Sequence, residues 1–470
     1  MPSPVFAPVP DALIDRDAFA STFTVRALRV PMEKTDAVMR ALRGFALDEP
    51  RVKAVARDPR ALEGDRERLV LLSARVSDET LKEIPEATLN AVKAHVGTLE
   101  VTTYEVALTY EYYNASQALR RLLPAHVDVP SAFETIGHIA HMNLRDEHEE
   151  FKYLIGAVVL DKNERLRTVV NKVGSIESEF RVPEWELLAG EPSLVTEVKQ
   201  HGATFKLNFG TVYWNSRLET EHKRLVDSFA TNEVICDATS GVGPFSVPAA
   251  QRGIRCYASD LNPDCSKYLK MNAQDNGVKH LVKCYNEDAR AFIKALLAPP
   301  EDYGVDNEKA WVERKMAYDA ALEKFNAKKK AAKETKTPFR ESKPKLVWAE
   351  ADDGAPPAGA TFDHLITNLP ASGIEFLDCL KGSFDRRVWS NRKLPMIHTY
   401  TFKASTETDE DVVRRGERYL GASITNASVS EVRDVSPNKL MVLLSFRISP
   451  EAAFPGLEID EAGAKRQRAN

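Results

Sequence analysis

The stretch Val234-Ile-Cys-Asp-Ala-Thr-Ser-Gly-Val-Gly-Pro-Phe245 limits the possible folds more than any other part of this chain. An apolar run ends in a Gly-rich turn, and a helix is predicted from Pro244, because proline suits a first helical turn. A second apolar run ends at Asp260, and a third leads into Asn368-Leu369-Pro370. Glycine in such a turn lets backbone approach a ligand closely, and an acid about 20 residues further on can hold ribose hydroxyls. Gly241 and Gly243 alone are weak evidence: the third glycine of a dinucleotide fingerprint is missing, and a lone match is often an ordinary strand-to-helix turn. Three such features at three strand ends are harder to dismiss, because open parallel sheets bind ligands at the carboxyl ends of their strands. The pattern implies an adenosine-containing cofactor beside a planar, nitrogenous substrate.

The segments around this motif alternate. Strands are predicted at 234–238, 254–259, 281–285, 362–367 and 395–400, and helices at 244–252, 263–275, 287–297, 372–380 and 409–420. Such alternation predicts an α/β unit over residues 216–450 built on a doubly wound, mostly parallel sheet. The runs 427–432 and 439–447, joined by Ser436-Pro-Asn438, read as an antiparallel pair at its end. Upstream, an alternating strand from Phe23, a helix over 33–44 and a strand from Leu69 form a small α+β module over 20–105. A second α+β unit spans 106–215. It combines a helix within 106–123, a short strand over 136–145, a helix over 146–160 entering an apolar strand at 155–160, and an alternating strand over 205–212. Residues 1–19 hold four prolines and read as a loose arm, and 451–470 as a disordered tail. An insertion at 300–358 interrupts the pattern with a helical stretch, then nine Lys/Arg against two Glu between Lys324 and Lys345. Such runs are usually solvated, and RNA contact or nuclear import is the sharper reading.

Composition narrows the function classes. A chain of 470 residues suits several domains. A net charge of -5, from 64 Lys+Arg against 69 Asp+Glu, removes a whole-chain basic signal for nucleic acid but leaves room for a local basic surface. Cysteines 236, 256, 265, 284 and 379 lack CxxC spacing, so no metal site is expected, and buried reduced thiols suit a reducing compartment. No apolar run reaches transmembrane length, so no membrane association is expected. Residues 1–20 carry Asp11, Asp15 and Asp17 against Arg16, a poor secretory signal and a poor mitochondrial presequence.

Among individual residues, Asp260 is read as a ribose ligand, since Asn262 before Pro263 is the better helix cap. Asp288 reads equally as an acceptor for an adenine amino group or as the cap of the helix from Ala289. Asn368 offers both a carbonyl acceptor and an amide donor to the edge of a base or to the amino-acid part of a cofactor, and Pro370 stiffens its turn. Glu219 and Glu221 face different sides of a helix, so no carboxylate dyad is expected. Arg217, Glu221 and Arg181 are, on chemistry alone, surface charges. His138, His141 and His148 lack the spacing of metal ligands.

Taken in order, six segments resemble the archaeal and eukaryotic tRNA (guanine-37-N1)-methyltransferases. They are His141-Met-Asn-Leu-Arg145, Val173-Gly-Ser-Ile-Glu-Ser-Glu-Phe-Arg181, Tyr213-Trp-Asn-Ser-Arg-Leu-Glu-Thr-Glu221, Asp237 to Phe245, Ser259-Asp-Leu-Asn262 and Thr367-Asn-Leu-Pro370. The resemblance runs from about residue 130 to 450, is weak over the first module and is absent from the insertion. It implies a class I methyltransferase domain, Rossmann-like, preceded by two smaller RNA-recognising α+β domains. It implies methyl transfer from S-adenosyl-L-methionine to N1 of the guanosine 3′ of the tRNA anticodon. Guanine N1 carries a proton at neutral pH, so a base must remove it, and negative charge then grows on O6. Glu221 matches the family's general base, Arg181 the residue stabilising O6, and Asn368 one positioning the guanine. His222, Asp260, Leu261, Asp288, Ala289 and Asn368 match cofactor contacts, beside the turn of Gly241 and Gly243. Archaeal relatives tend to have Arg where this chain has His222. Arg217 is expected to contact the RNA or organise Glu221, and Arg145 and Pro370 join the substrate contacts.

Two alternatives differ in class. Aminocarboxypropyl transfer would use the same cofactor on a similar fold and would not need Glu221 as an N1 base. A non-catalytic RNA-binding adaptor would not need Glu221, Arg181 and Asn368 together. A monomer is expected, acting in the cytoplasm or nucleus with a pool in the mitochondrial matrix.

Overall fold

The computed structural model describes residues 6, 14–60, 66–130, 132–174, 180–300, 307–334, 339, 344 and 355–454, whose strands form four sheets. The first is antiparallel in the order β2-β3-β1-β4, from β1 (Ser21–Pro31), β2 (Val55–Arg57), β3 (Glu67–Leu71) and β4 (Glu100–Leu108). Helices α1 (Thr35–Ala41) and α2 (Glu86–Val96) close a core around Leu28, Val38, Val70 and Val92. Strand β4 carries this module past the predicted end at residue 105, because it pairs with β1 along its whole length.

The second sheet is mixed, in the order β5-β6-β7-β8, from β5 (Glu134–Ile136), β6 (Ile139–Met142), β7 (Thr168–Val173) and β8 (Glu184–Gly190). Its helix α3 (Ala115–Leu122) starts at Asn114, whose side chain accepts the Gln117 N–H while the Gln117 side chain accepts the Asn114 N–H. This reciprocal cap satisfies two end donors and fixes where the helix begins. Strands β6 and β7 are parallel, joined through α4 (Lys152–Asp161). The predicted strand at 155–160 is the second half of α4. Ile155, Val158 and Val159 are buried at helical spacing, and a Cβ on Gly156 would lie 2.5 Å from the Leu188 Cβ. A short apolar run has no period that separates strand from buried helix, so packing decides.

The third sheet is a hairpin, β9 (Val195–Gln200) with β10 (Ala203–Asn208), shorter than the strand predicted to reach residue 212. The fourth has seven strands in the order β13-β12-β11-β14-β15-β17-β16. These are β11 (Val234–Asp237), β12 (Arg255–Ser259), β13 (Val282–Tyr285), β14 (His364–Thr367), β15 (Met396–Ala404), β16 (Ser428–Ser436) and β17 (Lys439–Arg447). The strands from β13 to β15 are parallel, and β17 and β16 are antiparallel. Helices α5 (Glu219–Asp227), α6 (Ser246–Gln251) and α7 (Pro263–Asp275) lie on one face, with Ile235 of β11 in their core. Helix α8 (Ala289–Leu297) lies on the other with Val234 and Cys236. Both faces of β11 are buried, which is why it reads as a continuous apolar run rather than an alternating one.

Asparagine side chains on α7 and at its C-cap tie the hairpin to this domain. The Asn272 and Asn276 amides exchange hydrogen bonds with the backbone of Lys206 and Thr204 on β10, at 2.7–3.1 Å. The insertion carries α9 (Asn307–Glu334), and the rest of the basic run lies largely outside the described residues. A short α10 (Arg386–Trp389), then α11 (Asp409–Leu420) and α12 (Pro450–Ala453), complete the chain. The helix predicted at 372–380 is a run of 3₁₀ turns over Gly373–Cys379. There the chain hugs two strand ends: a Cβ on Gly373 would sit 3.1 Å from the Thr367 carbonyl oxygen and 3.2 Å from that of Tyr400. From β11 the chain runs outward to β12 and β13, then returns to β14 on the other side, and such a reversal leaves a crevice at the carboxyl ends of the strands.

Candidate active site

A cavity of about 420 Å³ occupies that crevice, lined from the ends of β11, β12, β13 and β14. After β11 the chain turns through Gly241, at φ 53°, whose N–H donates to Asp260 Oδ2 at 2.8 Å. The Asn262 N–H donates to Asp260 Oδ1 at 2.9 Å, so the carboxylate that faces the cavity also clamps two loops together. Burial pushes the Asp260 carboxyl above its ordinary pKa, against the hydrogen bonds it accepts. Asn262, not Asp260, caps α7, through the Asp264 N–H at 3.0 Å. Gly241 faces open space, with nothing within 4 Å of a Cβ built on it. Gly243 does not line the cavity: at φ 100°, its Cβ would lie 2.7 Å from Leu269 Cδ1 and 2.9 Å from Val247 Cγ2. Its place is in the packing against α6 and α7, a correction to its expected ligand contact.

Asp288 caps α8, with Oδ1 accepting the N–H groups of Arg290 and Ala291 at 3.0 and 3.1 Å. It also lines the cavity, beside Ala289 and Leu261. Asn368 anchors its backbone N–H on Thr239 Oγ1 at 2.7 Å, and its Oδ1 is buried without a partner among the described residues. Ser240 Oγ and both ring nitrogens of His222 share that state. The His222 ring packs edge-on against Phe245 at 4.7 Å, and burial lowers its pKa to about 3, so it faces the cavity neutral. Buried polar atoms are nearly always hydrogen-bonded. Here three neighbouring residues leave theirs unused at one cavity, next to an acid and an open glycine. That donor and acceptor set fits the ribose and amino-acid groups of an adenosine-containing cofactor.

The cavity is also lined by Arg181, at φ 55°, and by Pro370, Tyr213 and Arg433. Sequence reasoning missed Tyr213 and Arg433 as site residues. Tyr213 is 47% exposed at the cavity, and the available signal was its place at the head of the Tyr213 to Glu221 segment. Arg433 carried none: a register shift between Glu431 and Arg433 on β16 sets its side chain, which reaches Asn215 Oδ1 at 3.4 Å.

Three expected site residues lie elsewhere. Glu221 is buried on α5, 8% exposed, and does not line the cavity. Its carboxylate is held by Arg224 Nε and Nη2 at 2.7 and 2.8 Å and accepts the Tyr400 hydroxyl at 2.8 Å. Arg217 pairs with Glu134 of β5, which links α5's entry to the second sheet. Arg145 points to solvent, 75% exposed, 3.6 Å from Glu147.

The sheet order and the placement of this cavity define a class I methyltransferase, a class whose cofactor is S-adenosylmethionine. Residues 115–193 match the TYW2 N-terminal domain, and residues 196–299 match the TRM5/TYW2 methyltransferase domain. The chain belongs to the tRNA (guanine(37)-N(1))-methyltransferase family. The member from Coprinopsis cinerea is 38% identical over 466 residues, covering 94% of each chain. The member from Phytophthora infestans is 36% identical over 448 residues, covering 94% of this chain and 93% of that one. The solved complex of aTrm5 and tRNALeu shares the fold, with a TM-score of 0.56 at 17% identity over 90% of this chain and 99% of that one.

Proposed function

We propose that this protein transfers a methyl group from S-adenosylmethionine to N1 of guanosine 37 in tRNA. One observation carries the reading: a single cavity brings together polar groups suited to the cofactor, the Asp260 carboxylate, Asn368 Oδ1 and Ser240 Oγ, with Arg181 and an exposed Tyr213. The cofactor supplies an electrophilic methyl on a positively charged sulfur. Asp260 holds the ribose, Asp288 accepts from the adenine amino group through its second oxygen, and the buried His222 donates to the amino-acid end. A base stacked in an anticodon loop cannot reach this depth, so guanosine 37 flips into the cavity, against the Tyr213 ring. Asn368 reads its edge and Arg181 stands at O6, where a cation is worth a few kcal/mol as charge develops. Arg433 meets the flipped nucleotide's phosphate. Glu221 takes the N1 proton, a contribution of about 10²–10⁴ in rate.

Around this site, the two α+β modules that precede it, residues 21–108 and 115–193, hold the body of the tRNA. The enzyme acts as a monomer away from membranes, in the cytoplasm or nucleus with a pool in the mitochondrial matrix. Methylation here maintains the reading frame and opens the route to wybutosine in phenylalanine tRNA. The test is the mass of the nucleoside formed at position 37 of an unmodified transcript. A methyl addition on guanosine supports the reading, and an aminocarboxypropyl addition replaces it with the related transfer.

A further inference from the structure

Glu221 occupies a seat that the reaction as proposed does not explain. Leu218, Glu221, His222 and Leu225 make one inward face of α5, at i, i+3, i+4 and i+7, and Leu218 and His222 of that face line the cavity. Glu221 is turned instead toward Arg224 and Tyr400. Both of its oxygens are bonded to the Arg224 guanidinium, at 2.7 and 2.8 Å, in a bidentate pair that fixes the orientation of the carboxylate. Tyr400 reaches it from β15 on the far side of the β11–β14 crevice. The Tyr400 ring is fully buried, 6.0 Å from the cavity-lining Phe245, and its hydroxyl donates to Glu221 Oε1 at 2.8 Å. A hydroxyl in so apolar a place is costly without a partner. Nothing about packing requires that partner to be a carboxylate, since phenylalanine would fill the same space.

We infer that Arg224 and Tyr400 are positioning residues for the proton-accepting carboxylate of Glu221. The inference rests on the proposed role of Glu221 as base. Arg224 fixes the carboxylate through both oxygens, and Tyr400 holds it on the inward face of α5. In this inference the carboxylate, next in sequence to the cavity-lining His222, meets the guanine with one oxygen while Arg224 and Tyr400 keep hold of it. The N1 proton passes to that oxygen as the N1 electron pair forms a bond to the methyl carbon. The bond from that carbon to sulfur breaks, and its electron pair stays on sulfur, which becomes neutral. The products are neutral 1-methylguanosine, S-adenosylhomocysteine and a protonated Glu221, whose proton returns to solvent.

The test is a kinetic cycle with Arg224→Met, Tyr400→Phe and Glu221→Gln, alone and in pairs, under saturating cofactor and tRNA. Arg224→Met keeps the aliphatic stem, and Tyr400→Phe removes one oxygen. Each is expected to lower kcat about tenfold or more while KM for tRNA and cofactor stays within about threefold, the mark of an interaction made in the transition state. In the Glu221→Gln background neither is expected to lower kcat further, because their effect passes through the carboxylate. A merely structural role would give the same loss in both backgrounds, and that result overturns the inference. Unchanged kcat in both single variants overturns it as well. Glu221→Gln with wild-type kcat would instead remove the base assignment itself, which is a separate failure. Arg224→Lys is expected to recover part of the Arg224→Met loss, since the charge returns without the fork.

Discussion

The two glycines of the turn after β11 should fail in opposite ways when each gains one methyl group. At Gly243 the methyl meets Leu269 Cδ1 at 2.7 Å and Val247 Cγ2 at 2.9 Å, in a backbone conformation, φ 100°, that side chains rarely adopt. Backbone strain of about 1–3 kcal/mol and overpacking of about 1–3 kcal/mol add to roughly 2–6 kcal/mol of lost stability. At Gly241 the methyl meets nothing within 4 Å, and the φ of 53° lies in the left-handed region where a side chain costs about 1–2 kcal/mol. Its methyl, however, stands at the cavity, where the account places the cofactor. Gly241→Ala should therefore cost little in stability but weaken S-adenosylmethionine binding about tenfold or more, at about 1.4 kcal/mol per tenfold. Gly243→Ala should lose several kcal/mol of stability, and its binding defect should shrink under conditions where the variant is fully folded. Denaturant unfolding reads the first quantity and calorimetric titration the second. A Gly241→Ala protein with wild-type cofactor affinity, or one less stable than Gly243→Ala, would refute the division of labour in the turn.

Three further predictions concern the same site. Asp260→Ala should weaken cofactor binding about tenfold or more by calorimetry, at about 1.4 kcal/mol per tenfold, and unchanged affinity would remove the ribose assignment. Arg181→Ala should lower kcat by about 10²–10³ while leaving cofactor affinity alone, and a loss confined to cofactor binding would move Arg181 away from O6. Asp237, at the end of β11, is fully buried beneath the turn, with Oδ2 accepting the Ser246 hydroxyl at 2.8 Å, and burial raises its pKa from 3.8 to about 7. A raised folded pKa stabilises the protein fully below about pH 4, and this contribution is lost as pH rises through about 7, a fall of about 4 kcal/mol. Asp237→Asn should flatten that fall in unfolding experiments on the cofactor-free protein. Equal effects of the substitution at pH 5 and pH 8 would contradict it.

Much of the sheet was legible because its strands are short, apolar on both faces and closed by chemistry-bearing residues. The runs ending at Asp237, Asp260 and Thr367 needed no tertiary knowledge, and Asn262 before Pro263 announced the start of α7. Failure came where packing overrides local pattern. Residues 155–160 are β-branched and apolar enough for a strand, yet Gly156 allows their helix to lie against Leu188. The site was legible where residues follow strands directly, as Asp260, Asp288 and Asn368 do. Tyr213 and Arg433 reach the cavity from a loop and a bulged hairpin, and neither leaves a periodic signal. Gly243 sits in the same turn as Gly241, and spacing alone could not separate the glycine facing the cavity from the one facing Leu269. The seat of Glu221 was invisible because Tyr400 lies far along the chain, joined to it only by the order of the strands.

Methyl transfer from labelled S-adenosylmethionine to two unmodified tRNA transcripts, identical except for guanosine or adenosine at position 37, tests the central claim most directly. The account predicts labelled 1-methylguanosine from the first transcript and no label in the second. No label in either, with cofactor binding intact, or equal label in both, would contradict it.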